Sequence, residues 1–154
     1  MSGPRATPTA QAAAGQRTPE QRRAADALHR VRDLEIDESL RKAYRAYADR
    51  LGPSIVMNGL GQALASELAA AGSKAKADER AHHRLYQNIE AWLCRPGGVY
   101  PATAGGGRDL LGAIVGGKES DYLRAQVETL SWLTWHKKFC RAYLPRGKGE
   151  GDQG

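Results

Sequence analysis

The run Tyr44-Arg-Ala-Tyr-Ala-Asp-Arg-Leu51, then Gly52-Pro53, then Asn58-Gly59-Leu60-Gly61-Gln62-Ala63-Leu64, decides the fold class. Its apolar residues recur at helical spacing, with Leu40, Tyr44, Tyr47 and Leu51 on one face and Arg41, Lys42 and Arg45 off it. Proline lacks a donor and biases the residue before it away from helical geometry, so Gly52-Pro53 predicts a kink or a tight turn. A glycine inside a helix costs about 1 kcal/mol relative to alanine. Gly59 and Gly61, two positions apart, therefore predict a place where another backbone packs closely. Asn58 and Gln62 lie four apart and share a face if the helix is continuous. Their amides can bond a neighbouring helix or subunit, or donate to a phosphate or a 2′-hydroxyl.

The sequence on either side is helical as well. Thr18-Pro19-Glu20-Gln21 reads as a helix start, with the hydroxyl as N-cap, proline in the first position and Gln21 closing a capping box. Ala24, Leu28 and Val31 follow, and this helix is expected to end between Leu34 and Asp37. A helix carrying Val56, Leu60, Leu64 and Leu68 on one stripe is expected to stop at Gly72. Its successor, from Lys74 or Lys76, buries Leu85, Ile89, Trp92 and Leu93. Arg95 to Arg108 is Gly-rich and reads as the longest loop. A short helix from Asp109 to Val115 and a last one capped by Ser120 and running to Leu144 complete the chain. No segment alternates apolar and polar residues as strands do. The expectation is an all-α, single-domain bundle of about five to six helices over residues 19–144, with flexible tails at 1–18 and 145–154.

Composition agrees with this and narrows the function. A chain of 154 residues fits one domain. With 41% apolar and 26% charged residues, most of it can bury a core. Residues 1–18 have too little bulky apolar content to offset the entropy of ordering. They also lack the apolar stretch of a secretory leader, and no stretch approaches the roughly 20 apolar residues that span a bilayer. No membrane partner is therefore expected; Cys94 and Cys140 are the only cysteines and form no Cys-x-x-Cys pair, which suits a reducing, cytoplasmic compartment. A net charge of +6 and a pI near 9.5 favour a polyanionic partner.

The last helix is the strongest candidate for a working surface. Trp132, Trp135, Phe139 and Tyr143 fall on one side, Thr134, Lys137, Lys138 and Arg141 on another, and no acid lies between Glu128 and Glu150. Cations near phosphate spacing bind a nucleic-acid strand without reading its sequence, and aromatic faces can stack bases. The plainer reading places the aromatics in the core or a subunit interface, and the cations as complements of the helix dipole. Arg41, Lys42 and Arg45, with Arg50 a turn on, form a second basic group, read either as a solvated face or as a second phosphate contact. His82 and His83 are adjacent and point about 100° apart on a helix, so they do not chelate one ion, and no metal or cofactor is expected. Gly105-Gly106-Gly107-Arg108 lacks the spacing of a phosphate loop, and no nucleophile is paired with a base. No catalytic residue is expected.

The run from Tyr44 to Leu64 carries a resemblance. Three further segments add to it: Leu85-Tyr86-Gln87-Asn88-Ile89-Glu90-Ala91-Trp92-Leu93, Asp109 to Val115, and Ala125 to Leu144. The chain resembles the small all-helical subunit of the type III-B CRISPR effector, the Cmr complex, from about Pro19 to Leu144, most sharply over Asn58 to Leu64. The resemblance implies a non-catalytic part of an RNA-guided ribonucleoprotein in antiviral defence, stacked in several copies beside other Cmr subunits and facing guide and target RNA. Base pairing then carries specificity and the protein follows shape and charge. RNA contact falls to Lys137, Lys138, Arg141, Arg41, Lys42 and Arg45. Packing or subunit contact falls to Asn58, Gly59, Gly61, Gln62, Trp132 and Trp135. Stacked copies need two different patches on each; the first-helix surface, the Tyr44 and Tyr47 region and the Trp132 to Tyr143 stripe are the candidates. Two other classes remain: a free-standing helical nucleic-acid binder such as a helix-turn-helix domain, and a scaffold bundle that touches only protein.

Overall fold

The computed structural model describes residues 16–102 and 108–147, all of the described regular structure being helical. Six helices follow one another: α1 (Pro19–Arg32), α2 (Glu38–Asn58), α3 (Leu60–Ala70), α4 (Ala77–Leu93), α5 (Leu110–Gly116) and α6 (Glu119–Tyr143). Of the tails expected at 1–18 and 145–154, residues 1–15 and 148–154 lie outside the described residues, as do 103–107 of the Gly-rich loop.

The helix ends follow from local chemistry. Thr18 Oγ1 accepts the Gln21 amide at 3.1 Å while Gln21 Oε1 accepts the Thr18 amide at 2.9 Å, the reciprocal box read from sequence. Asp37 and Asp109 cap α2 and α5 by accepting the amides of Leu40 and Gly112. Ser120 is not a cap. It lies inside the first turn of α6, where Glu119 and Asp121 complement the positive helix end, and Lys118 takes the cap position.

Pro53 does not interrupt α2, which runs on to Asn58. Proline there removes one ladder bond, but Leu51 and Ile55 on either side are fully buried, and their packing holds the helix through it. The break comes at Gly59, whose φ of 87° and ψ of 157° belong to glycine alone. Val56 is therefore not on the α3 stripe; it is 70% exposed near the end of α2, and Ile55 takes the core position instead. Asn58 and Gln62 fall on two different helices.

One core joins all six helices. α6 runs beside α1 in the same direction, pairing Asp26 with Trp132 and Arg32 with Tyr143. It runs opposite to α2 and α3, pairing Asp49 with Arg141 and Leu60 with Gln126. At the centre is a polar chain. Tyr44 Oη lies 2.5 Å from His136 Nε2 and accepts from Asn88 Nδ2 at 2.9 Å, and His136 Nδ1 lies 3.0 Å from the Ala27 carbonyl. Donation from Nδ1 to that carbonyl leaves Nε2 free to accept the tyrosine proton, so each group in the chain has a partner. Burial pushes the His136 pKa down to about 3. The ring is neutral at ordinary pH, stacked on Trp132 at 4.1 Å.

Candidate nucleic-acid interface

The turn between α2 and α3 is held from α6. Tyr122 Oη lies 3.3 Å from the Gly61 amide, and Gln126 Oε1 accepts the Leu60 amide at 3.1 Å, satisfying donors that a helix start leaves without partners. A Cβ on Gly59 would meet Tyr122 Oη at 2.8 Å, and one on Gly61 would meet Ile114 Cγ2 at 3.4 Å. What approaches the glycines is a pair of side chains, from α5 and α6, rather than another backbone. Asn58 and Gln62 stand exposed at the rim of an open groove with Ala65, Leu111, Val115 and Tyr122.

Lys137, Lys138 and Arg141 share the C-terminal half of α6. Lys138 is exposed and Lys137 half-buried, and neither takes an ion pair or a side-chain hydrogen bond among the described residues. Arg141 is exposed and its Nε donates to Asp49 Oδ1 at 3.1 Å. Lys137 borders an apolar groove between α2 and α6 that includes Pro53, Val56, Met57 and Leu133. Val56 and Met57 there are 70% and 83% exposed.

The α2 cations are disposed differently. Arg41 turns back to donate to the carbonyls of Glu35 and Leu34, closing the connection out of α1. Lys42 pairs with Glu38 at 3.1 Å, one turn earlier. Arg45 is only 8% exposed and donates to the Leu144 carbonyl at 3.1 Å, tying down the end of α6. Arg45 is thus no surface cation, because the end of α6 covers it, and Arg41, Lys42 and Arg45 do not form one open basic face. Arg50 is exposed, with its guanidinium 5.0 Å from the Tyr47 ring centroid.

Of the aromatics, Trp132 is fully buried and donates to Asp26 at 2.9 Å, so it belongs to the core and not to a surface between copies. Tyr44 is equally enclosed. Trp135 is half-buried, donates to Glu20 at 2.7 Å and stacks on Phe139 at 5.9 Å, while Tyr143 is 56% exposed. Tyr47 stacks on His82 at 3.6 Å, and His82 bonds Glu67 at 2.7 Å, joining α2, α3 and α4. His83 is held below the usual histidine range by burial and by Lys74 and Arg84. Among the described residues no group of three His, Cys, Asp or Glu is placed to hold a metal ion.

Sequence reading did not anticipate the polar cluster where α1, α4 and α6 meet. Glu128 accepts from Arg23 Nε at 2.9 Å, Arg23 Nη2 at 3.0 Å and Trp92 Nε1 at 3.1 Å. The bonds from Arg23 hold its carboxyl below the usual range. The partners are 105 and 36 residues from Glu128, and no local spacing links them.

These features define a small helical bundle with a one-sided basic stretch on its last helix. The family model for the CRISPR-associated protein Cas_Cmr5 matches residues 19–143, and the chain belongs to this family. It is a subunit of the type III-B CRISPR Cmr complex, with the other subunits of that complex as partners. No helix among the described residues is long and apolar enough to cross a membrane.

Proposed function

We propose that this Cmr subunit is a non-catalytic structural component whose α6 cations lie along guide and target RNA in the cytoplasm. The folded domain is taken as residues 19–144. The observation that carries the reading is the placement of Lys137 and Lys138 near the end of α6 without an acidic partner among the described residues, with Arg141 one turn on. Such an arrangement contacts phosphates through charge and leaves sequence to base pairing. Arg41 and Arg45 are assigned to holding the fold, and Lys42 and Arg50 to the margin of the surface.

Copies stack head to tail through two unlike surfaces, as an open chain of subunits requires. The grooves beside Val56 and Met57 and beside Asn58 and Val115 support this: they lie on either side of the Gly59 turn and expose apolar side chains that a monomer leaves uncovered. The test is RNA binding by the variant K137Q/K138Q/R141Q against salt. Its folding is expected to be unchanged, and the slope of log K against log salt to fall by about 0.7 for each lost contact to a single strand. An unchanged slope refutes the RNA assignment and leaves the scaffold reading.

A further inference from the structure

A second cationic cluster lies away from the Lys137 to Arg141 surface, about 10 residues and so about 15 Å back along α6. A cleft of about 160 Å³ is lined by Pro19, Arg22, Arg23, Trp92, Arg95 and Glu128. Three arginines from α1 and the segment after α4 converge on it around one carboxylate. That carboxylate is fully engaged, taking both Arg23 and Trp92. Glu20 nearby is divided between Arg23 and Trp135. Arg22 and Arg95 have no acid partner among the described residues. Arg95 sits over the Trp92 ring, its guanidinium carbon 3.4 Å from the ring centroid, and its Nη1 donates to the Trp92 carbonyl. It is held in place with its remaining donors free.

We propose that Arg22 and Arg95 form an oxyanion site for a phosphate group, in which the Trp92 ring orients the Arg95 guanidinium. Two guanidinium groups arriving from different elements suit a tetrahedral phosphate, whose oxygens diverge, better than a planar carboxylate, which one arginine satisfies alone. Burial, then the attraction of Glu128 and Asp26 against the repulsion of Arg22 and Arg23, leaves the Arg95 pKa below its ordinary value, and a bound anion would relieve the repulsion. The phosphate source is either a phosphodiester of RNA or a free phosphate group. The site stands independently of the α6 reading, since it shares no residue with it.

The three tryptophan indoles report separately, because Trp92, Trp132 and Trp135 donate to Glu128, Asp26 and Glu20 respectively. The full chain is titrated with inorganic phosphate, with an oligouridine of about 15 nucleotides and with hexaglutamate, while the indole N–H resonances are followed by NMR. Phosphate is expected to move the Trp92 resonance selectively, and R22Q to weaken that response about tenfold with the spectrum otherwise intact. R95Q should abolish it; if R95Q disturbs the spectrum, R22Q decides alone. Movement with oligouridine as well assigns the RNA backbone as the source, and movement with phosphate only assigns a free phosphate group. The proposal is overturned if no anion moves Trp92, if R22Q responds like the wild type, or if hexaglutamate acts as strongly as phosphate. K137Q/K138Q should retain the phosphate response, so failure of the α6 reading and failure of this one are separable.

Discussion

Gly59→Ala tests the turn that the whole packing of α3 rests on. At φ 87° and ψ 157° an alanine is strained by about 1–3 kcal/mol. Its Cβ would also stand 2.8 Å from Tyr122 Oη, and relief requires giving up the contact of that hydroxyl with the Gly61 amide, worth about 0.5–1.5 kcal/mol. The expected loss is about 2–4 kcal/mol, which lowers the midpoint of a domain this size by about 4–15 °C. Gly61→Ala, two residues on, meets Ile114 Cγ2 at the edge of ordinary contact and gains helix propensity. It should stay within about 1 kcal/mol of the wild type. Urea unfolding followed by circular dichroism measures both. In G59A/Y122F the oxygen that the new methyl meets is gone, so the double variant should lose less than the two single losses combined. Wild-type stability in G59A, or a larger loss in G61A, refutes the account of this turn.

Other outcomes follow from the same contacts. Y44F leaves His136 Nε2 and Asn88 Nδ2 unpaired in the core and should cost about 2–4 kcal/mol by urea unfolding. His136 titrates near 3 when folded against an ordinary 6.5, so the unfolded chain binds more protons between these values. Stability is complete above pH 6.5 and should fall by about 1 kcal/mol per pH unit as the medium is acidified toward pH 3, with His83 adding in the same direction. Glu128, with its pKa lowered by Arg23, withdraws its own contribution only below its ordinary 4.5, as pH falls through the folded value. D49N releases Arg141 from its carboxylate and should tighten RNA binding and steepen its salt dependence, as read by fluorescence anisotropy.

Local chemistry made much of the fold legible. The Thr18 box and the buried faces of Leu40, Leu85 and Ile89 depend on near neighbours, which a sequence displays directly. Pro53 misled because its cost is local while the burial of Leu51 and Ile55 that overcomes it is tertiary. Gly59 and Gly61 marked the right place, yet nothing near them in sequence announces Tyr122 or Gln126. The surface was harder to read for the same reason. Arg45 and Lys138 look alike as cations on helices, and only the end of α6 folding over α2 buries the first and leaves the second exposed. The cluster of Arg23, Trp92 and Glu128 joins three helices distant in sequence and had no local signature.

The most direct test of the RNA-facing role is photocrosslinking of target RNA in the assembled Cmr complex, with the crosslinked peptides identified by mass spectrometry. The account predicts crosslinks on the α6 peptide containing Lys137, Lys138 and Arg141. Crosslinks confined to other subunits, with this one present and unmarked, would contradict it.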